Sequence, residues 1–174
     1  MLSCAENARR RRSKVKKKSL SLRTVRIPLL TAILLFFLDQ GFKFLFYHKE
    51  IISKKTVIIK GLLYLVPAIK NPGIAFGLFR NYGHFLLIPA FLAVIFILFI
   101  YYKTSVEETL LKWGLLLILT GALSNLVDRL LYNGSVIDYL LLRYFPYSFN
   151  LADPSILVGV GLVIGRLLRK STDF

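Results

Sequence analysis

Only one cysteine, Cys4, two histidines, His48 and His84, and nine acidic residues occur among the 174 residues. A single thiol forms no internal disulfide, so the redox compartment leaves no mark on this sequence. One Cys and two His do not supply a four-ligand structural zinc site. No Gly-rich phosphate loop and no Ser/His/Asp nucleophile set stand out, which removes the commonest nucleotide-binding and serine-hydrolase readings. Cys4 follows Leu2-Ser3 with no apolar stretch before it, so it does not read as a lipidation site. No internal repeat is visible.

What is abundant is apolar. Hydrophobic residues make up 56% of the chain and the mean hydropathy is +0.62, above soluble usage. The sequence therefore predicts a small polytopic membrane protein. Four apolar segments are expected as spans, at about 27–46, 85–102, 113–131 and 153–168. A bilayer needs about 20 residues of helix. The second segment carries no charge at all; the fourth is short and diluted by Gly159, Gly161 and Gly165, which would let another helix approach closely. The first does not read as a cleaved signal peptide, because no small-residue cleavage site ends it. Residues 27–174 are read as one integral-membrane domain, preceded by a basic tail over 1–26.

That tail holds ten of the 24 Lys/Arg and one acid, Glu6. Nucleic-acid binding is one reading of such a run. The tail has no aromatic residue on which a base could stack, and an apolar span follows at once. A cytoplasmic tail touching anionic lipid is the preferred reading, with no nucleic-acid partner. Lys/Arg bias then puts both termini in the cytoplasm: fifteen basic residues fall inside against eight outside. The outer loop over 47–83 is unusually basic for that topology. It contains two β-favouring runs, Thr56–Ile59 and Leu62–Val66, split by Lys60-Gly61. They predict a small sheet with an apolar face on the membrane, ended by Pro67, Pro72, Gly73 and Gly77.

Four of the nine acids, Asp39, Asp128, Asp138 and Asp153, lie in or beside apolar runs. A carboxylate in or next to lipid is costly, and a chain that keeps several uses them. In the topology above, Asp39, Lys43, Asn71, Asn125, Asp128, Asp138, Asn150 and Asp153 all fall on the outer side. Structural explanations exist for several. Asp39 and Lys43, at i and i+4, would neutralise each other. Asn125 and Asp128, at i and i+3, would join helices by hydrogen bonds. Asp128 would pair with Arg129. Asp153, before Pro154, would cap a helix. Asp138, between Ile137 and Tyr139, has no comparable explanation. Two nearby carboxylates share a proton, so one serves as base on water while the other protonates a carbonyl. Spacing leaves open which two of the three outer aspartates pair. A proton-coupled carrier and a purely structural assembly factor are the rival readings, and substitution of Asp138 separates them.

Five motifs in order carry a family resemblance. Asp39-Gln40-Gly41-Phe42-Lys43 resembles D-Q-x-x-K, and Asn71-Pro72-Gly73-Ile74-Ala75-Phe76 resembles N-x-G-x-A-F. Gly121 to Arg129 resembles G-A-x-x-N-x-x-D-R, Val136-Ile137-Asp138-Tyr139 resembles V-x-D-F, and Phe149-Asn150-Leu151-Ala152-Asp153 resembles F-N-x-A-D. Together they resemble the lipoprotein signal peptidase (signal peptidase II) family. The resemblance implies a membrane all-α fold of four transmembrane helices with a small extracytoplasmic β-cradle. It implies a bacterial inner-membrane aspartyl endopeptidase that cuts prolipoproteins before a diacylglyceryl-modified cysteine. The dyad would be Asp138 and Asp153. Asn125, Asp128, Arg129, Asn150, Ala152, Asn71 and Gly73 would support it and the substrate backbone, and Asp39 and Lys43 would hold the first helix against that shell. No metal or organic cofactor is implied; the partners are the modified prolipoprotein and membrane lipid, and a monomer is expected. Tyr139 departs from the usual Phe, Thr120 from a second Gly, and Pro154 from a small residue.

Overall fold

The computed structural model describes residues 26–73, 85–145 and 147–171. The basic tail, apart from Arg26, lies outside them, as do Gly77 and the Ile74-Ala75-Phe76 end of the second motif.

The apolar runs form four helices: α1 (Arg26–His48), α2 (Leu87–Lys103), α3 (Thr109–Leu131) and α4 (Ala152–Ser171). By length and composition, α1 and α3 are apolar enough to cross a membrane, and α2 is a shorter apolar helix. Their polarity is arranged inside out. Leu30, Leu34 and Phe37 of α1, Phe91, Phe96 and Phe99 of α2, and Leu157, Ile164 and Leu168 of α4 are exposed, whereas Asp39, Lys43, Ser124, Asn125, Asp128 and Arg129 are buried. Water would favour the reverse; a hydrocarbon surround favours this.

Helix α3 begins four residues before the expected Trp113. It takes in Lys112, which is buried with Nζ 4.5 Å from the Tyr101 ring centroid, a cation–π contact that shields the charge. Two glycines bring α3 against α4. A Cβ on Gly114 would lie 2.7 Å from the Gly159 carbonyl, and one on Gly121 would collide with the Ala152 carbonyl and with Ile156. Gly159 thus serves the close approach expected of the α4 glycines, while Gly161 and Gly165 face open space. At the far end Arg166 grips Glu108 bidentately, Nε to Oε2 at 2.7 Å and Nη2 to Oε1 at 2.9 Å.

The sheet is antiparallel, in the order β1 (Thr56–Ile59), β2 (Leu63–Asn71), β3 (Val136–Leu142) and β4 (Ser148–Phe149). Its first two strands arise from the loop where a sheet was expected. The other two come from between α3 and α4, where no strand was anticipated. Nor does Pro67 end β2, which continues to Asn71. The pairing with β3 shifts register between Leu65 and Ile69, and a bulge there accommodates a residue with no N–H to give the ladder. The chain leaves α3 through Asn133 and Gly134, both at positive φ (58° and 82°). The Gly134 N–H closes on the Arg129 carbonyl at 2.7 Å. This left-handed cap turns the chain directly into β3.

Candidate functional site

Register places Ile69 opposite Asp138 and Asn71 opposite Val136, so Asn71 and Asp138 share the sheet face over the helix ends. The Asn71 Nδ2 donates to Asp138 Oδ2 at 2.9 Å, and the Asn150 Nδ2 donates to Oδ1 at 2.8 Å. Asp153, in the first turn of α4, accepts from the Asn150 backbone N–H at 3.0 Å and from Asn125 Nδ2 at 3.1 Å. All four carboxylate oxygens therefore hold one hydrogen bond each from asparagine.

The cap expected of Asp153 falls to Asn150, whose Oδ1 accepts the Ala152 N–H at 2.9 Å. With Asp153 reaching back to the Asn150 N–H, the two form a reciprocal capping arrangement. Pro154 occupies the first turn, where a missing N–H costs nothing.

Beneath this lies a charged layer. Lys43 Nζ contacts Asp39 at 2.7 Å, Asp128 at 2.9 Å and the Asn125 Oδ1 at 3.0 Å. Its three donors are thereby satisfied. Asp39 also accepts from Ser124 Oγ at 2.6 Å, Tyr139 hydroxyl at 3.1 Å and the Leu151 N–H at 3.0 Å, binding α1 to α3, β3 and the start of α4. Asp128 accepts from Gln40 Nε2 at 3.1 Å and the Ile137 N–H at 3.0 Å. Asp39 and Lys43 do pair, as their spacing suggests, but a second carboxylate joins them. Gln40, Ser124 and Tyr139 are members that residue-by-residue reading assigned no part, though each is a polar group within or beside an apolar run.

Asp128 does not pair with Arg129. Successive helical residues do not face each other, and Arg129 turns to the other side of α3. Its Nη1 donates to the Asn125 carbonyl at 3.2 Å and its Nη2 to the Gly73 carbonyl at 3.5 Å. Its Nε is buried and has no hydrogen-bond partner among the described residues. Gly73 is buried too, and its N–H donates to Asn71 Oδ1 at 3.1 Å.

Asp138, Asp153, Asn71, Gly73, Asn125 and Arg129 line one cleft of about 820 Å³. Its walls are apolar, from Pro89 and Ala93 of α2 and Leu157 and Val160 of α4. Asp128 is absent from this lining and nearly inaccessible. Asn150 and Ala152 are buried behind it. Burial pushes the Asp138 carboxyl up to about 7; Asn71 and Asn150 pull it down by hydrogen bonding, and the charge of Asp153 pushes it further up. Burial, reinforced by Asp39, raises the Tyr139 hydroxyl well above its ordinary range, so it remains a neutral donor. Among the described residues no group of three His, Cys, Asp or Glu is placed to hold a metal ion.

Comparison with known proteins gives one consistent answer. Residues 31–169 match the family model for signal peptidase (SPase) II. A lipoprotein signal peptidase of Halothermothrix orenii is 35% identical over 142 residues, covering 81% of this chain and 94% of that protein. One from Bartonella henselae is 36% identical over 155 residues, covering 83% and 93%. A bacterial membrane enzyme solved by the in meso method at 2.3 Å superposes with a TM-score of 0.77 at 26% identity, over 86% of this chain and 92% of that one. With the family match running through both cleft carboxylates, and relatives above a third identical along nearly their full length, the chain belongs to the signal peptidase II family of membrane peptidases.

Proposed function

We propose that this protein removes the signal peptide from diacylglyceryl-modified prolipoproteins by aspartic-protease chemistry, cutting before the modified cysteine. The observation that carries the reading is that Asp138 and Asp153 line one cleft and are both hydrogen-bonded by Asn150, in a chain of this family. One carboxyl of the pair keeps a proton and the other is ionised. The ionised group takes a proton from a water as that water attacks the scissile carbonyl. The protonated group donates to the carbonyl oxygen, and a tetrahedral intermediate forms. The C–N bond then breaks as the carboxyl that took the water's proton gives it to the leaving nitrogen, and the other carboxylate recovers its proton from the intermediate's hydroxyl as the carbonyl re-forms. Which aspartate plays which part is a property of the coupled pair.

Arg129 and Asn71 hold the substrate backbone in this proposal. The buried Nε of Arg129, without a partner among the described residues, supports that role, since such a donor is costly until something accepts from it. The apolar walls from α2 and α4 suit acyl chains and a signal helix entering sideways from lipid. Residues 27–174 act as one domain whose four helices cross the bacterial inner membrane, with both termini and the 1–26 tail in the cytoplasm and the sheet at the outer surface. Mass spectrometry of the products tests the substrate assignment. An amino terminus at the diacylglyceryl-cysteine is expected; a cut elsewhere, or equal cleavage of unmodified precursor, contradicts it.

A further inference from the structure

The outer loop remains far more basic than the topology calls for. Residues 51–71 hold Lys54, Lys55, Lys60 and Lys70 and no acid. None of the four has a carboxylate partner among the described residues. Lys55 lies over the Tyr64 ring at 4.0 Å, and Lys70 lies 5.4 Å from the rings of both Tyr47 and Tyr132. Lys54 and Lys60 flank β1 and are exposed.

Between them, Val57, Ile58 and Ile59 are exposed, as is Leu62 at the end of the turn. β1 is also the edge of the sheet, so one side of its backbone has no strand partner among the described residues. An exposed apolar edge strand is a pairing hazard unless something covers it. A second copy of the chain is a poor cover, because the flanking lysines would meet their own kind. An anionic lipid surface meets both demands: its acyl boundary takes the apolar side chains and its phosphates take the ammonium groups.

We propose that the β1–β2 hairpin is a lipid-binding surface that recognises anionic phospholipid headgroups of the outer leaflet. The proposal rests on the membrane topology given above. It adds a lipid preference located at the β1 edge of the hairpin, whereas the far end of β2 carries Asn71, which donates to Asp138.

The test is hydrogen exchange at the β1 amides of the full-length protein in two kinds of vesicle. One is pure phosphatidylcholine; the other is an equimolar mixture of phosphatidylcholine and phosphatidylglycerol. Exchange at Val57 to Ile59 is expected to be slower in the anionic vesicles by at least about five-fold, the factor one lysine contributes near an anionic surface. The difference should shrink at high salt. Lys54→Gln/Lys60→Gln should abolish most of it while leaving prolipoprotein cleavage in neutral vesicles unchanged, which shows that the variant is folded. Equal exchange in both vesicles overturns the proposal, as does a difference that the double variant retains. Protection that follows protein concentration and ignores lipid charge also overturns it and assigns the edge to a second copy. Hairpin digestion by protease from the cytoplasmic side alone would instead refute the topology.

Discussion

The side-chain Nδ2 of Asn150 donates to Oδ1 of Asp138 at 2.8 Å. The same residue's backbone N–H donates to Asp153, and its Oδ1 caps α4 at Ala152. One asparagine thus sets the position of β3, the start of α4 and both cleft carboxylates. Asn150→Ala should lower kcat by about 100-fold or more, the usual reach of positioned acid–base groups, with a smaller change in KM. Kinetics on a lipid-modified precursor check this, and a variant that changes KM alone would point to a substrate-binding role instead.

Activity should fall as pH rises through about 7, where the Asp138 carboxyl loses its proton. The sign follows from the raised value: below it Asp138 holds a proton, and above it that proton is lost. The Asn71 hydrogen bond favours the ionised form and holds that value down. Asn71→Leu should therefore move the alkaline limb of the pH–rate profile to higher pH. A shift to lower pH would reverse the assigned electrostatics.

Lys43→Met would leave Asp39 and Asp128 buried without their cation. Breaking a buried ion pair in this way costs roughly 3–5 kcal/mol, and thermal unfolding in detergent should show it. Combining Lys43→Met with Asp128→Asn should recover part of the loss. Full stability in the single variant would mean that water already reaches this layer.

Gly121→Val should push the first turn of α4, with Asp153, away from α3, because the Ala152 carbonyl and Ile156 occupy the space a Cβ needs. Overpacking of this kind costs roughly 1–3 kcal/mol, and cleavage should fall further than stability does. Gly161→Ala, in open space, is the matched control and should match the parent in both assays.

The helices were legible because lipid-facing and buried positions alike are apolar, which leaves long uncharged runs such as 87–100. Strand β3 was not legible. Val136 to Tyr139 are all buried, so the segment lacks the in–out alternation that marks a half-exposed strand. Pro67 misled because its effect depends on a bulge fixed by the partner strand. The site's members stood out for the opposite reason to β3, as carboxylates and amides where lipid penalises them. Their partners did not: Lys43 meeting Asp128, or Asp39 meeting the Leu151 N–H, joins distant parts of the chain. For the same reason the residues alone left three outer aspartates as dyad candidates. In the structure Asp128 is held by Lys43, Gln40 and the Ile137 N–H, while Asp138 and Asp153 face the cleft, which supports the proposed dyad.

The most direct measurement is a gel-shift cleavage assay in lipid. It uses diacylglyceryl-modified prolipoprotein and an unmodified control, with the parent protein beside Asp138→Asn and Asp153→Asn. The account predicts that only the modified precursor is cut, and that each substitution abolishes cleavage while the protein still inserts and folds. Cleavage that survives both substitutions would contradict the dyad, and a folded parent that cuts neither precursor would contradict the proposed function itself.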